Sequence, residues 1–251
     1  MSRIAVAGAT GAVGRHVVEA LRARGHEPVA LSRASGVDLL QADGLADALA
    51  GCTAVIDVAS QQTLAAKRAV GFFTTVTNNL LAAETRAGVA HHVVLSIVGA
   101  AGTDAGYYAG KAAQERLVMA RPGGWSLLRA TQFHEFAEQT ARRVTLGLIP
   151  VPRMRCRPVA AAEVAAALAD IAGGAPAGLV PDLGGPGIEQ MADMVRRYVA
   201  ATGRPGRVLE IPLPGTFGKA LSDGTLLPGP DAHLGAESFD EWLAKQPRAR
   251  R

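Results

Sequence analysis

The sequence is poor in cysteine, in aromatic residues and in charge. Its two cysteines, Cys52 and Cys156, lack the spacing of metal ligands, so we expect neither a disulfide framework nor a metal site. Aromatic residues make up 4%, too few for a surface that stacks nucleic-acid bases. Charged residues make up 19% against 49% hydrophobic residues, a balance typical of a globular protein with a well-filled core.

The chain also lacks an uncharged apolar stretch of the roughly 18 residues that a membrane span requires. The Ala-rich stretch from Val159 to Val180 comes nearest, but Glu163 and Asp170 interrupt it. The first residues do not read as a secretory or transit signal, because glycines break any apolar segment there. With a net charge of only +4, neither a membrane nor nucleic acid is expected as a partner, and we expect a cytoplasmic protein.

A strand, a glycine turn and a helix follow one another at the start of the chain. Ile4 to Ala7 form an apolar run typical of a buried strand, and a helical pattern begins near Gly14. Gly8 suits a tight turn, Gly11 lets a pyrophosphate approach the backbone, and Gly14 lets the helix pack closely on the strand. The free N–H groups at the helix start then face the phosphates. The order predicts a dinucleotide site; a glycine turn without ligand is the alternative, since the spacing is GxxGxxG rather than GxGxxG.

The end of the second predicted strand bears on cofactor choice. Pro28 to Leu31 predict that strand, and Ser32 and Arg33 stand where it ends. An acidic residue near this point binds the ribose 2′-OH of NAD, whereas an arginine accommodates the 2′-phosphate of NADP. No carboxylate occurs until Asp38, so the sequence predicts NADP(H) over NAD(H). A solvated strand-end charge is the alternative role for Arg33.

A third short strand is predicted over Val37 to Leu40. It leads to Asp43, which either meets the adenine edge of the cofactor or caps a helix that starts near Leu45.

Strands and helices continue to alternate through the first half of the chain. A strand is predicted over Ala54 to Ala59, a long helix over Leu64 to Arg86, and another strand over His92 to Ile97. This alternation predicts an α/β fold with a doubly wound parallel sheet of Rossmann type. Ala59 and Ser60 then lie at the edge of the sheet that faces the cofactor.

Three residues with acid–base chemistry follow. Ser96 falls at the carboxyl end of its strand, where open parallel sheets bind their ligands. Tyr107 and Lys111 are four residues apart in a predicted helix and so share one face. A nearby cation favours the phenolate and lowers the pKa of a tyrosine. The group is typical of proton transfer to a carbonyl oxygen that Ser96 holds in place.

Several segments together resemble the short-chain dehydrogenase/reductase superfamily, in its atypical, NmrA-like, NAD(P)-binding branch. The segments are GATGAVG from Gly8, LSR from Leu31, LSIVG from Leu95, YYAGKAAQE from Tyr107, LLRATQF from Leu127 and LGGPG from Leu183. By this resemblance Ser96, Tyr107 and Lys111 take the catalytic positions. The resemblance also implies a set of cofactor-binding positions: Gly8, Thr10, Gly11, Ala12, Val13, Gly14, Ser32, Arg33, Asp43, Ala59, Ser60 and Lys111.

The resemblance implies an NADPH-dependent oxidoreductase that reduces a carbonyl, a quinone or a similar small molecule. Many members of this branch lack the tyrosine and act as redox sensors, so a non-catalytic NADP(H) sensor that acts through a protein partner is the alternative. The presence of Tyr107 favours an enzyme. The doubled tyrosine leaves Tyr108 as the other candidate proton donor, and the four-residue spacing to Lys111 favours Tyr107.

The segment after the sixth predicted strand supplies candidate substrate contacts. The strand spans Trp125 to Thr131, and a helix is predicted over Gln132 to Arg143. Phe133, His134 and Phe136 lie at their junction, where they are predicted to line a substrate pocket. His134 is a second candidate acid, although a lone histidine among apolar residues is more often structural.

The last third of the chain is predicted to form a small substrate-binding cap. We expect one NAD(P)-binding domain over residues 1–251, with a dinucleotide-binding core to about 147 and the cap from about 148. The basic stretch Leu148 to Pro158 reads as an edge strand or as a site for an acidic substrate. A small-molecule substrate is the expected partner, and a homodimer is compatible with the pattern.

Overall fold

The computed structural model describes residues 1–248. These residues form two compact units: one comprises Met1–Arg129 and Ala162–Pro181, and the other comprises Ala130–Ala161 and residues 182–248. The first unit contains the glycine turn and the Ser96, Tyr107 and Lys111 positions. The second contains Phe133, His134 and Phe136.

The strands are short and begin at the third residue. They are β1 (Arg3–Ala7), β2 (Glu27–Leu31), β3 (Ala54–Asp57), β4 (His91–Ile97), β5 (Gly124–Ala130), β6 (Leu148–Pro152), β7 (Arg155–Cys156), β8 (Gly178–Leu179), β9 (Leu183–Gly184), β10 (Glu189–Gln190), β11 (Arg207–Ile211) and β12 (His233–Leu234).

Helices alternate with the strands through the first unit and continue into the second. The helices of both units are α1 (Gly14–Ala23), α2 (Leu45–Ala48), α3 (Ala66–Ala87), α4 (Gly106–Ala120), α5 (Glu135–Ala141), α6 (Ala161–Gly173), α7 (Met191–Thr202), α8 (Gly215–Asp223) and α9 (Phe239–Ala244). Within residues 1–248, none of them is both long enough and apolar enough to cross a membrane.

The sheet of the first unit is parallel and runs in the order β2-β1-β3-β4-β5, with β8 beside β5. Ile4 of β1 pairs with Pro28 on one side and with Ala54 on the other. Strands β1 and β3 are almost wholly buried and apolar, as a sheet covered on both faces requires. The predicted doubly wound α/β fold is therefore confirmed.

Helix α3 covers the sheet with one apolar face. Its buried residues recur every three or four positions: Ala69, Phe73, Val76, Leu80 and Ala83. The helix ends at Gly88, whose φ of +72° reverses the chain. The predicted helix from Leu64 to Arg86 is thus confirmed, with its start two residues later.

The amino-terminal end of β4 carries two buried histidines, His91 and His92, on opposite faces, as adjacent residues of a strand must be. His91 Nε2 hydrogen-bonds Ser126 Oγ at 2.9 Å. His92 Nδ1 lies 2.6 Å from a buried oxygen of Glu84, whose other oxygen accepts a bond from Arg121 at 2.7 Å. These contacts tie α3 and β5 to the entry of β4.

The predicted strand over Val37 to Leu40 is wrong. After β2 the chain forms a single 3₁₀ turn, Arg33–Ser35, which Ser32 and Ser35 cap reciprocally. The Asp38 carboxylate then accepts a bond from the Leu40 N–H at 3.0 Å and closes a second turn. Local side-chain bonds of this kind compete with strand pairing.

Two elements have other bounds than predicted, because backbone groups near their ends form hydrogen bonds outside the strand or helix. Strand β3 ends at Asp57, since the carboxylate accepts the Ala59 N–H at 2.9 Å. The helix predicted from Gln132 starts at Glu135, because Gln132 and His134 exchange backbone bonds with Val159. The chain at this junction is extended rather than helical.

The second unit is built around α7. Strands β6 and β11 form a parallel pair, β7 and β10 form an antiparallel pair, and β12 lies beside β9. Two arginines of the basic stretch Leu148 to Pro158 make contacts within this unit. Arg153 pairs with Glu210 of β11, and Arg157 donates to two backbone carbonyls. These guanidinium groups therefore stabilise the second unit itself.

Gly110 marks the closest approach of α3 and α4. A Cβ there would lie 2.5 Å from Phe73 Cδ2 and 2.9 Å from the Cβ of Ala69. Overpacking of this kind lowers the free energy of unfolding, so we expect Gly110→Ala to cost about 1–3 kcal/mol. Chemical denaturation measures the effect.

Gly71 provides the matched control. It lies on the exposed face of α3, and a Cβ there would meet nothing within 4 Å. Gly71→Ala should raise the free energy of unfolding by about 0.5–1 kcal/mol through helix propensity. Equal effects of the two substitutions would contradict the close approach of the helices.

Candidate cofactor-binding and active site

The turn after β1 requires two of its three glycines for packing. Gly8 has a φ of +84°, and a Cβ there would lie 2.9 Å from the Ala59 Cα. A Cβ at Gly14 would collide with the Gly8 carbonyl oxygen. The turn is therefore held tightly against both the end of β3 and the start of α1.

Gly11 differs from the other two because it is exposed. Its N–H donates to the Gly8 carbonyl at 2.9 Å, and a Cβ at Gly11 would have that oxygen as its nearest neighbour, at 3.2 Å. The remaining predicted positions of the turn range from exposed to buried: Thr10, Ala12 and Val13.

The amino terminus of α1 suits an anion. The cap residue Val13 provides no side-chain hydrogen bond, and the first turn of α1 contains no acidic residue. Helix N-terminal N–H groups and the helix dipole both favour negative charge at such a place. A phosphate is compatible with this end of the turn.

The residues after β2 leave a guanidinium free. Ser32 is buried and its hydroxyl accepts the Ser35 N–H, so that side chain is occupied by the turn itself. Arg33 is exposed and has no hydrogen bond or ion pair within residues 1–248. It is therefore available to a ligand charge at the end of β2.

The loop that follows is anchored by α3. Asn79 Nδ2 donates to the Leu39 carbonyl at 3.0 Å. Asp43 is exposed, and Gly44, with a φ of +74°, occupies the cap position of α2 without any side-chain cap. The capping role considered for Asp43 is wrong, and its adenine contact stays a prediction.

The end of β4 presents a buried hydroxyl. Ser96 is 3% exposed, and its Oγ has no hydrogen-bond partner among residues 1–248. An unpaired buried polar group costs free energy, so such a group is usually satisfied by a ligand or by water. Its position fits the predicted role of holding a substrate oxygen.

Tyr107 lies half-buried in the first turn of α4, with Tyr108 beside it almost fully buried. The Tyr107 Oη is 3.2 Å from the exposed Ser60 Oγ, and its ring contacts Phe73 edge-on at 5.4 Å between centroids. Ser60 thus contacts the phenol itself.

The predicted lowering of the phenol pKa by Lys111 is wrong for this structure. Burial raises the pKa of Tyr107 to about 12, and the Ser60 hydrogen bond only partly opposes that. The Lys111 Nζ lies 6.0 Å from the Tyr107 ring centroid and donates elsewhere. The phenol therefore keeps its proton at neutral pH.

Lys111 is 3% exposed, and its ammonium makes two hydrogen bonds to protein groups. Nζ donates to the Leu95 carbonyl at 2.7 Å and to Gln114 Oε1 at 2.8 Å, and it lies 4.4 Å from the Phe73 ring centroid. Desolvation lowers the pKa of Lys111 to about 8, although Asp57 and Glu115 oppose the shift.

Three residues of this site were not predicted from the sequence: Phe73, Gln114 and Asp57. Phe73 contacts both Tyr107 and Lys111, and Gln114 Nε2 donates to the buried Asp57 carboxylate at 2.8 Å. The spacing of Gln114, three residues after Lys111 on a helix, was the one available signal.

The candidate substrate residues lie in the second unit. His134 is fully buried, its Nε2 hydrogen-bonds the Glu237 carbonyl at 3.0 Å, and its ring contacts Phe239 and Trp242. These contacts favour the structural role for His134. Phe133 and Phe136 are half-buried, and their substrate role stays a prediction.

Comparison with known proteins agrees with this geometry. A family model described as NAD(P)H-binding matches residues 8–173. A UDP-N-acetylglucosamine 4-epimerase from Bacillus cereus superposes with a TM-score of 0.70 at 17% identity, over 97% of this chain and 95% of that one. No curated protein matches the sequence.

Two further solved structures resemble the chain. A short-chain dehydrogenase/reductase superfamily protein from Agrobacterium tumefaciens with bound NAD has a TM-score of 0.68 at 18% identity, over 97% and 95% of the two chains. An NADPH-dependent quinone oxidoreductase from Escherichia coli has 0.67 at 16%, over 96% and 98%. At these identities the likeness shows the fold.

The residues present fit a dinucleotide. The glycine cradle admits no Cβ at Gly8 or Gly14, the helix start is free of acids, and the Ser96 hydroxyl lacks a partner among the described residues. Phosphate groups fit the first two features and a polar substrate atom fits the third.

Gly11→Val tests the glycine turn. At this exposed position the Gly8 carbonyl oxygen, 3.2 Å from an added Cβ, is the one protein atom that must give way, whereas the branched chain would block a pyrophosphate from the backbone. We expect NADPH binding to be lost, as measured by fluorescence titration, while the thermal unfolding temperature stays near that of the wild type. Normal NADPH affinity in this variant would show that the turn has been misinterpreted.

Proposed function

Because the chain belongs to the NAD(P)H-binding family, we propose that it is an NADPH-dependent oxidoreductase that reduces a carbonyl, a quinone or a similar small molecule. The observation that carries the proposal is the juxtaposition of Tyr107 and Lys111 around Phe73. A phenol that can give a proton and a buried ammonium are thereby held on one face of α4, each in contact with the same ring.

The protein's own groups suit the proton side of a reduction. When bound, the reduced nicotinamide supplies the hydride. As the electron pair of the C=O bond moves to oxygen, Tyr107 donates its phenolic proton to that oxygen and becomes a phenolate. Ser96 supports the reaction by hydrogen bonding to the same oxygen. The exposed Ser60, 3.2 Å from the Tyr107 Oη, returns a proton from solvent.

Several residues are assigned to the cofactor. The glycine turn and the start of α1 receive the pyrophosphate, Arg33 receives the 2′-phosphate, and Lys111 contacts the ribose. The free guanidinium of Arg33 supports the choice of NADP(H) over NAD(H).

A substrate screen separates this function from that of a sensor. NADPH oxidation is followed by absorbance with panels of aldehydes, ketones and quinones; the Escherichia coli protein of similar fold is itself described as an NADPH-dependent quinone oxidoreductase. Turnover that depends on one of these compounds supports the enzyme. NADPH binding without any turnover across the panels favours a sensor that acts through a protein partner.

Arg33 should decide the cofactor preference. Hydrogen bonds to charged groups contribute about 1.5–3 kcal/mol each, so NADPH should bind roughly tenfold or more tightly than NADH. Arg33→Ala should remove that preference and leave NADH affinity unchanged. Calorimetric titration of both cofactors measures it.

Arg22→Ala is the matched control, because it removes the same charge from the exposed last turn of α1. That variant should keep the wild-type preference. Equal affinities of the wild type for NADPH and NADH would refute the assignment of Arg33.

Tyr107 and Tyr108 should differ in their effect on turnover. Loss of a positioned general acid costs about 10²–10⁴-fold in rate, so Tyr107→Phe should lower kcat by that factor with NADPH affinity nearly unchanged. Tyr108→Phe serves as the control and should change kcat only slightly. Steady-state kinetics with the substrate from the screen provide the measurement; full activity of Tyr107→Phe would exclude the phenol as donor.

A further inference from the structure

A continuous set of buried hydrogen bonds joins β3, β4 and α4. The Leu95 carbonyl and the Gln114 amide accept from Lys111, and the same amide donates to Asp57. Asp57 accepts the Ala59 N–H with its other oxygen at 2.9 Å. Asp57, Lys111 and Gln114 are each at most 3% exposed, so solvent does not compete for these bonds.

The chemistry of the three groups permits one orientation of the amide. An ammonium only donates, so Gln114 must turn Oε1 toward Lys111. A carboxylate only accepts, so Nε2 must face Asp57. The Gln114 amide therefore bridges the two groups: its oxygen accepts from the ammonium and its NH₂ donates to Asp57. The amide dipole is aligned favourably with both charges, although the two charged groups form no direct ion pair.

The network also fixes how many donors the ammonium has left. Lys111 carries three N–H bonds, and two of them are used by Leu95 and Gln114. The Phe73 ring contacts the ammonium without being a conventional acceptor. One N–H is thus left without a conventional acceptor among residues 1–248.

We propose that Gln114 is a positioning residue: its amide holds the Lys111 ammonium and couples it to the Asp57 carboxylate, which leaves one N–H for the bound cofactor. The inference rests on the proposed function, in which Lys111 contacts the ribose. Under this assignment the amide sets both the direction of that N–H and the pH range over which Lys111 stays charged.

The groups around Lys111 determine the pH at which its ammonium titrates. Burial lowers the pKa of Lys111, while Asp57 of β3 and Glu115 of α4 raise it. Helix α4 also contains Tyr107, and α3 contributes the uncharged Phe73. Burial raises the pKa of the Asp57 carboxyl; His92, Lys111 and the Ala59 N–H oppose this shift, and Glu84 adds to it. Gln114 is the uncharged link, so replacing it changes the coupling without removing any of these groups.

Nuclear magnetic resonance of the cofactor-free full chain tests the proposal. The carbon-13 Cε resonances of the four lysines, Lys67, Lys111, Lys219 and Lys245, are followed against pH, and Lys111→Arg assigns the signal. The wild-type midpoint is expected at about pH 8. Gln114→Leu should lower that midpoint by about one pH unit or more, because the ammonium loses a hydrogen bond and its coupling to Asp57.

Two other variants should shift the Lys111 midpoint in opposite directions. Gln114→Glu places a carboxyl group beside the ammonium and should raise the midpoint. Asp57→Asn should lower it, because the Ala59 N–H keeps the amide oxygen and the new NH₂ forces Gln114 to turn its own NH₂ toward Lys111. Gln190→Leu, at an exposed position of the second unit, should change nothing.

The outcomes separate this inference from the proposed function. Lys111 midpoints that are equal in wild type, Gln114→Leu and Asp57→Asn, or that move the same way in Gln114→Leu and Gln114→Glu, would overturn it. If Gln114→Leu fails to fold, the opposite shifts of Gln114→Glu and Asp57→Asn decide. NADPH affinity should fall with rising pH at each variant's own Lys111 midpoint, whereas an absence of turnover in the substrate screen counts against the enzyme alone.

Discussion

The burial of the Lys111 ammonium is the constraint on which the candidate site depends. An unpaired charge in an apolar interior costs many kcal/mol, so the surroundings must compensate it with oriented dipoles or opposite charge. Here the compensation comes from three elements at once: the Leu95 carbonyl of β4, the Gln114 amide of α4 and the Phe73 ring of α3. The close approach of α3 and α4 at Gly110 is what brings that ring within reach.

A second constraint, on the backbone, connects this interior to the glycine turn. Asp57 is hydrogen-bonded to Gln114 on one side and to the Ala59 N–H on the other. Ala59 in turn lies where a side chain on Gly8 would be. The glycine turn and the ammonium are therefore supported by the same two residues at the end of β3, although the turn and Lys111 are far apart in sequence.

Sequence patterns predicted most of the fold and part of the site. The alternation of apolar runs with helical periodicity was sufficient for the parallel sheet, and the glycine spacing was sufficient for the turn, because both depend on local chain geometry. The strand at Val37 failed because Ser32, Ser35 and Asp38 satisfy the backbone locally. Gln114 and Asp57 could not be paired from sequence, since their contact exists only after β3 and α4 have packed together.

The shift in the pKa of the Tyr107 phenol could not be predicted from the sequence either, because it results from burial in the folded protein. Burial raises the pKa of Tyr107 to about 12, so at neutral pH the phenol carries its proton and the resting site presents a proton donor. Under the proposed function, this proton is the one that the reduction consumes. Under the same proposal, the phenolate formed by that donation would share its face of α4 with the Lys111 ammonium. Burial raises the pKa of Tyr107 to about 12 and lowers that of Lys111 to about 8, so the ammonium is the stronger acid of the two side chains.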